Sequence, residues 1–238
     1  MPDARPGSGA ARAAVLAVAA LLFLVPVAAG ARAVADGWTP TGDQALFVLR
    51  VHDAADGHPP LVGMPSTASR PDEPVDHPGP LAFWVAAPGD WVAPANGAGA
   101  VLTFALINGV ALAGTVLVAR RIGGDGWALA VSATLAWFVL GLAGPLLYQP
   151  WNAHLAVLPG VLLLALTAAV VAGDRVLLPI QVGVASFVAQ AHLAYLPVAG
   201  LLVATAVVAT LWPRLVGREP AGPPDDGRPP ARLWWTTA

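Results

Sequence analysis

The sequence contains no cysteine and no lysine, and its charged residues are few. Of its 238 residues, 11% are charged and 57% are hydrophobic, and the mean hydropathy is +0.68. Soluble domains carry about 25% charged residues, so this composition indicates a membrane protein. Without cysteine, the chain cannot supply a disulfide, a thiolate nucleophile or a cysteine metal site.

Basic charge is also sparse, and all of it comes from arginine. The net charge is -2, and the sequence has no basic stripe that could neutralise the phosphates of a nucleic acid. We therefore expect no nucleic-acid partner. The sequence also lacks P-loop, G-x-S-x-G, H-E-x-x-H and G-x-G-x-x-G motifs, so nucleotide hydrolysis and serine or zinc hydrolysis have no support.

Long uncharged runs predict the membrane spans, since a bilayer core needs about 20 apolar residues in a helix. Two of these runs are too long for one crossing and are broken at polar turns, residues 144–152 and 190–197. The predicted spans are 13–31, one within 97–119, two within 126–173 and two within 176–212. The fold class predicted from them is all-α, a multi-pass transmembrane helix bundle of about six spans.

The first apolar run has two interpretations. It ends in "AAGARA", whose small residues suit a signal peptidase, so a cleaved signal peptide is one interpretation. A retained anchor is the other, and it is favoured because the run exceeds the roughly 7–15 residues of a signal-peptide core. In both cases the following segment is exported.

The arginines predict the orientation, because short cytoplasmic loops carry an excess of Lys and Arg. In the six-span arrangement one side receives Arg5, Arg12, Arg120, Arg121, Arg175, Arg214 and Arg218. We therefore expect a cell-membrane protein with a cytoplasmic N-terminus. Residues 33–96 then form a long first extracytoplasmic loop, and the turns at 144–152 and 190–197 lie on the same outer side.

The first outer loop is the polar part of the chain. Between residues 36 and 90 it holds seven Asp and one Glu against Arg50 and Arg70. Its first element has the pattern of a short helix, in which Thr41 and Gln44 have the spacing of a capping box. The loop therefore joins an acidic, partly helical segment to the apolar spans.

The rest of this loop combines prolines with tryptophans. Residues 58–80 are Pro-rich and are expected to be irregular. The segment 81–91, "LAFWVAAPGDW", returns the chain to the membrane. It is predicted to be a short interfacial helix with Trp84 and Trp91 at headgroup depth, where indole rings are enriched.

The order of motifs in this loop resembles a known superfamily. After the first span come the acid of "G-D-x-A", a Pro-rich loop and then "HPGPLAFW". This order resembles the first exported loop of the GT-C membrane glycosyltransferases. That superfamily includes the protein mannosyltransferases and the aminoarabinose transferase, and its actinobacterial members are particularly similar. The resemblance covers about residues 10–215 in topology and 42–84 in specific residues, so we treat 1–215 as one transmembrane region.

The resemblance implies transfer of a sugar from a polyprenyl-phosphate donor to an extracytoplasmic acceptor. The lipid bilayer and the lipid-linked sugar are then the expected partners. It places the catalytic acid at Asp43, whose carboxylate would accept the proton of the acceptor hydroxyl. The structural alternative is that Asp43 only stabilises the N-terminus of its helix, by about 0.3–1 kcal/mol.

The resemblance also implies a contact to the donor phosphate. His77 stands where the family has a lysine that faces the lipid phosphate, and the alternative is a loop histidine without that role. Arg50 is a second phosphate partner by charge. Its alternative, an ion pair with Asp43 or Asp53, is favoured; Asp43 lies seven residues before Arg50, on the same face of the helix.

The two outer turns add further predicted substrate contacts. Asn152 stands where relatives have a second acid, which argues against a mechanism with two acids. Asn152 and His154 are predicted to contact the sugar or the phosphate. Gln190 and His192 are predicted to do the same, since polar side chains in an apolar stretch tend to face a cavity; a hydrogen bond between helices is the alternative.

The remaining expectations concern cofactors and the end of the chain. Asp43 and the histidines could bind a divalent cation, but no ligand spacing in the sequence specifies a metal. Residues 216–238 are expected to form a flexible cytoplasmic tail that ends in "ARLWWTTA", which is similar to the start of a further span. We therefore expect an N-terminal portion of a longer enzyme, which need not be active alone. The alternative function is a non-catalytic membrane subunit or a transporter, and the oligomeric state is open.

Overall fold

The part of the chain that the structure describes is mainly helical. This computed structural model describes residues 9–67, 69–141 and 144–215. Within these ranges the α-helices are α1 Gly9–Ala35, α2 Asp43–Ala55, α3 Leu81–Val92, α4 Ala98–Gly141, α5 Asn152–Leu155, α6 Val157–Val171, α7 Leu178–Ala191 and α8 Leu196–Leu215. Short 3-10 turns lie at Ala95–Gly97, Gly144–Leu147, Arg175–Leu177 and Leu193–Tyr195. The predicted tail, 216–238, lies outside the described residues.

Four helical stretches are long and apolar enough to cross a membrane. They are Gly9–Ala35, Ala95–Gly141, Asn152–Val171 and Leu193–Trp212. The stretch Arg175–Ala191 is equally helical but shorter. The all-helical class with several candidate spans is therefore confirmed, whereas the count of six stays a prediction.

Helix α4 reverses its direction near its middle. A straight helix of its 44 residues would be about 66 Å long, twice the roughly 30 Å of a bilayer core. Gly124 interrupts it with a φ of 76° and a ψ of -172°. Beyond that point Leu135 shares a core with Val116, and Asn108 Nδ2 donates to the Leu147 carbonyl over 3.0 Å. The second half of α4 therefore runs back beside the first half.

Ion pairs fasten the end of the bundle at which α4 turns. Arg120 Nε lies 2.6 Å from Asp125 Oδ1, across the reversal. Arg121 binds Asp174 through two contacts, one of them from Nη2 to Oδ1 at 2.9 Å. Because Asp174 lies three residues after the end of α6, this pair ties the bend of α4 to the end of α6. Arg120 and Arg121, two of the arginines predicted to face the cytoplasm, lie here.

Small residues let the first helix lie close to α4. A Cβ added at Gly30 would overlap the Ala105 side chain, and one at Gly109 would overlap the backbone of Phe23. Such close approach of helix backbones is typical of membrane helices, where packing replaces the hydrophobic effect as the driving force. The core between α1, α4 and α6 contains Leu22, Leu112, Val116, Leu158 and Leu166.

Helices α2 and α3 lie side by side at the opposite end of the bundle and run parallel. Phe47 near the start of α2 contacts Phe83 near the start of α3, with ring centroids 4.7 Å apart. At the other end, Trp91 Nε1 donates to the Ala55 carbonyl over 2.8 Å. Phe47 also packs against Phe104 of α4 at 5.6 Å, so the pair is seated on the first turns of α4.

The capping box predicted for α2 is wrong. The residue that precedes the helix is Gly42, which has a φ of 53° and supplies no side-chain cap. Gln44 donates its backbone N–H to the Thr41 carbonyl instead. Glycine adopts a positive φ freely. Gly42 therefore turns the chain so that the carbonyl of Thr41, and not its hydroxyl, accepts a hydrogen bond from the first turn.

The loop between α2 and α3 is more regular than expected. Two isolated antiparallel bridges, Pro65 with Asp76 and Arg70 with Glu73, give it the course of a hairpin. At the base, His77 donates its backbone N–H to the Met64 carbonyl over 2.8 Å. Pro cannot donate to a ladder, which keeps the bridges isolated, while Pro-Asp favours a turn at the tip.

Candidate functional site

The polar residues of the three predicted outer segments meet at the end of the bundle that carries α2 and α3. The Leu193 N–H donates to His77 Nδ1 over 3.0 Å. Tyr195 donates its hydroxyl to the Ala153 carbonyl over 2.9 Å. The first outer loop and both polar turns are thereby joined, although they are far apart in the sequence.

His77 is buried and held in one tautomer. Its side chain is 5% exposed, and its Nδ1 accepts the Leu193 N–H, so a neutral ring carries its proton on Nε2. Burial lowers the pKa of His77, His192 lowers it further and Asp76 partly opposes them. His77 is therefore a neutral hydrogen-bond donor and not a substitute for the positive charge of a lysine.

His192 stacks on His77 and has the same tautomer. The ring centroids lie 4.3 Å apart with an angle of 35° between the planes. His192 Nδ1 accepts the Ala194 N–H over 3.1 Å, which leaves the proton of a neutral ring on Nε2. The pair therefore offers two N–H donors, and its Nδ1 atoms are already occupied.

Gln190 supports this cluster from the end of α7. Its Nε2 donates to Ser186 Oγ over 2.9 Å. Gly79 lies so close that an added Cβ would overlap the carboxamide of Gln190. The "HPGP" segment thus contacts the end of α7 at Gly79 and the turn after α7 through the hydrogen bond from Leu193 to His77.

Asn152 and His154 lie on the short helix α5. Asn152 is buried, and its carboxamide makes no hydrogen bond within the described ranges. His154 Nδ1 is buried and likewise has no partner among the described residues, while its ring meets Trp151 edge-on at 4.4 Å. Both side chains therefore keep hydrogen-bonding capacity that the described residues do not use.

Asp43 is the predicted catalytic acid of the first loop. It is the first residue of α2 and is exposed, and its carboxylate has no hydrogen bond or ion pair with any residue that the structure describes. One turn further, Phe47 is buried against Phe83 and Phe104. The carboxylate is therefore unpaired among the described residues, and the aromatic contacts anchor the first turns of α2.

Arg50 has the ion pair that was predicted as its alternative role. Its Nη1 lies 3.5 Å from Asp53 Oδ2, one turn along α2. Both side chains are about half exposed, so the pair contributes little to stability. Arg50 is nevertheless engaged within its own helix.

A second polar pair was missed by the sequence analysis. His52 Nδ1 lies 2.9 Å from Asp90 Oδ2, and its Nε2 lies 3.3 Å from Asp56 Oδ2. Asp90 is the only charged residue between 81 and 92 and is surrounded by apolar residues. In the sequence, an isolated acid within an apolar helix indicates such a pair, because a buried carboxylate requires a partner.

An apolar groove opens below the polar cluster, between α4, α6 and α7. Its volume is about 340 Å³. The walls come from Thr103, Leu106, Ile107, Val110, Ala111, Pro159, Leu162, Gly183, Val184 and Phe187. Thr103 also borders Gly89 of α3, and Phe187 lies one turn before Gln190. The groove therefore occupies the half of the bundle next to the outer loop.

The described residues contain no group of three or more His, Asp or Glu side chains placed to hold a metal ion. The open Nε2–H edges of His77 and His192 are donors, whereas a metal ligand needs a lone pair. The geometry of this cluster therefore suits a hydrogen-bond acceptor, such as a phosphate or a sugar oxygen.

No protein family, no curated protein and no solved structure matches the chain.

Proposed function

We propose that the chain is a membrane glycosyltransferase-like protein. It transfers a sugar from a polyprenyl-phosphate donor to a hydroxyl acceptor on the extracytoplasmic side, with the N-terminus and the turn of α4 in the cytoplasm. The proposal builds on the likeness of "G-D-x-A" and "HPGPLAFW" to the GT-C loop. It also builds on the arrangement of groups at the end of the bundle that carries this loop.

The observation that carries the proposal is the apolar groove next to the polar residues at the end of the bundle that carries α2 and α3. A prenyl chain needs an apolar surface, and the walls contributed by Leu106, Val110 and Phe187 offer one. The headgroup of such a lipid would then lie at the level of α2, α3 and the histidine pair. A soluble acceptor could reach that level from the aqueous side.

The proposed reaction is a single displacement at the anomeric carbon. The acceptor oxygen forms a bond to this carbon while the bond to the phosphate oxygen breaks, and the electron pair leaves with the polyprenyl phosphate. Asp43 accepts the proton of the acceptor hydroxyl. His77 and His192 donate Nε2–H bonds to phosphate oxygens, and Asn152 and His154 supply further polar contacts.

Asp43 can be tested with a matched acid elsewhere in the same loop. Membranes that contain the protein would be incubated with radiolabelled polyprenyl-phosphate sugars. Asp43→Asn is expected to abolish transfer to acceptor while the protein level stays unchanged. Asp72→Asn, at the exposed tip of the hairpin, is expected to leave transfer intact.

Two results would contradict the proposal at different levels. Equal transfer by the wild type and Asp43→Asn would remove Asp43 from the mechanism. No transfer from any donor, with the protein present and folded in the membrane, would argue against the glycosyltransferase and favour a non-catalytic subunit.

A further inference from the structure

Asp90 is a carboxylate buried in an otherwise uncharged helix. Its side chain is 3% exposed, and the rest of α3 is apolar or glycine and proline. Removing a carboxylate from water is costly unless it is paired and hydrogen-bonded. The side-chain partner that the described residues provide is His52 of α2, whose Nδ1 lies 2.9 Å from Asp90 Oδ2.

The surroundings of His52 favour its protonated form. The hydrogen bond to Asp90 has the largest effect and raises the pKa of His52. The nearby Asp56 and Asp53 also raise it, and burial opposes them. Arg50 faces Asp53 and not the imidazole. The charged groups of α2 and α3 that face His52 are therefore all carboxylates.

The contact sits where it can fix the position of α2. Phe47 and Phe83 hold the first half of the α2–α3 pair, and Trp91 with the Ala55 carbonyl holds its end. His52 and Asp90 form the ionic contact between these two points. When His52 loses its proton, the Asp90 carboxylate keeps one neutral hydrogen bond and loses its opposite charge.

We propose that His52 and Asp90 form a proton-dependent clasp that holds α2 in place on α3. The clasp is closed while His52 carries its proton and loosens when the proton is lost. Its link to catalysis rests on the proposed function, because α2 carries Asp43. The clasp itself depends on the geometry of the two helices alone.

The sign of the pH dependence follows from the direction of the shift. A histidine whose pKa is raised on folding contributes stability that is present below its unfolded value and is lost as the pH rises through the folded value. We therefore expect the clasp to be closed at mildly acidic pH. It opens on the alkaline side of about 6.5, the ordinary value for histidine.

The cysteine-free chain allows this to be measured by placing two spin labels on the protein in lipid bilayers. Leu49→Cys on α2 and Val85→Cys on α3 both lie at exposed positions. Their distance distribution would be recorded from about pH 6 to about pH 9, a range that brackets the histidine transition. We expect one narrow distance at low pH that broadens as the pH rises, and full reversal on acidification.

Two substitutions identify the groups, and one provides the control. His52→Gln and Asp90→Asn are each expected to remove the pH dependence. His58→Gln, at an exposed histidine just beyond α2, is expected to retain the transition of the parent. These variants are compared by distance and not by turnover, so the outcome is independent of any donor assay.

The clasp would be overturned by an unchanged distance distribution in the parent protein over the whole pH range. It would equally be overturned by an unaltered transition in His52→Gln. The first result is obtained without a substitution at His52 or Asp90. The proposal can therefore be refuted even if those variants fail to fold. Loss of sugar transfer with a normal distance transition would count against the proposed function and leave the clasp standing.

Discussion

His77 and His192 lie ring against ring with their centroids 4.3 Å apart, and each accepts a backbone N–H at Nδ1. The two imidazoles come from different outer segments, and the hydrogen bond from Leu193 to His77 joins those segments directly. A side chain that is buried and also satisfies a backbone donor is difficult to replace. The pair is therefore a structural junction, whatever it binds.

The first prediction concerns the stability of this junction. His77→Ala is expected to lower the free energy of unfolding by about 1–3 kcal/mol, because the Leu193 N–H loses its acceptor inside the protein. Thermal unfolding in detergent would measure the change. His58→Ala, at an exposed position of the same loop, is expected to have no effect, and equal losses in both variants would contradict the assignment.

The second prediction concerns pH, since His77 and His52 respond in opposite directions. The pKa of His77 is lowered, so its contribution to stability is lost as the pH falls from about 6.5 through the folded value. The pKa of His52 is raised, so its contribution is lost as the pH rises. The end of the bundle that carries α2 and α3 is therefore expected to be most stable between these two folded pKa values.

Hydrogen exchange can separate the two transitions. After correction for intrinsic rates, peptides covering 190–197 are expected to lose protection on acidification, when protonated His77 can no longer accept the Leu193 N–H. Peptides covering 43–55 are expected to lose protection on the alkaline side. Loss of protection on the same side for both segments would contradict the prediction.

Much of the architecture follows from apolar length and from the position of the turns. The uncharged runs predicted an all-helical bundle, and four of the resulting helices are long enough to span a membrane. The polar turns were predicted to share one side, and the structure joins them through Tyr195 with Ala153 and through Leu193 with His77. Hydropathy succeeds here because every backbone group within a bilayer must be paired inside its own helix.

The contacts at the end of the bundle that carries α2 and α3 could not be predicted in the same way. The pairing of His52 with Asp90 depends on the parallel alignment of α2 and α3, which no local pattern specifies. The Thr41 capping box failed because Gly42 takes a left-handed conformation that the spacing rule does not consider. Similarly, the tautomers of the histidine pair depend on backbone donors that only the folded chain places beside them.

The third prediction concerns the outward face of α3. This helix turns Asp90, its one charged residue, inward, while Trp91 and Val92 are 68% and 86% exposed. A helix facing water shows the reverse pattern, so we expect this face to lie in the lipid. A spin label at Val92→Cys should be more accessible to oxygen than to a water-soluble nickel complex. The order should be reversed at Asp72→Cys on the hairpin tip, and a water-exposed label at Val92→Cys would refute the prediction.

The fourth prediction concerns the number of crossings made by α4. Because the chain reverses at Gly124 and Asn108 binds the Leu147 carbonyl, its two ends are expected to lie on the same side of the membrane. Single cysteines at Ala95→Cys and Gly144→Cys should then both react with a membrane-impermeant maleimide from outside intact cells. Ile122→Cys, beside the reversal, should react only after the membrane is opened. Reaction of Ala95→Cys and Gly144→Cys from opposite sides would mean that α4 crosses once, and the arrangement of six spans would then be wrong.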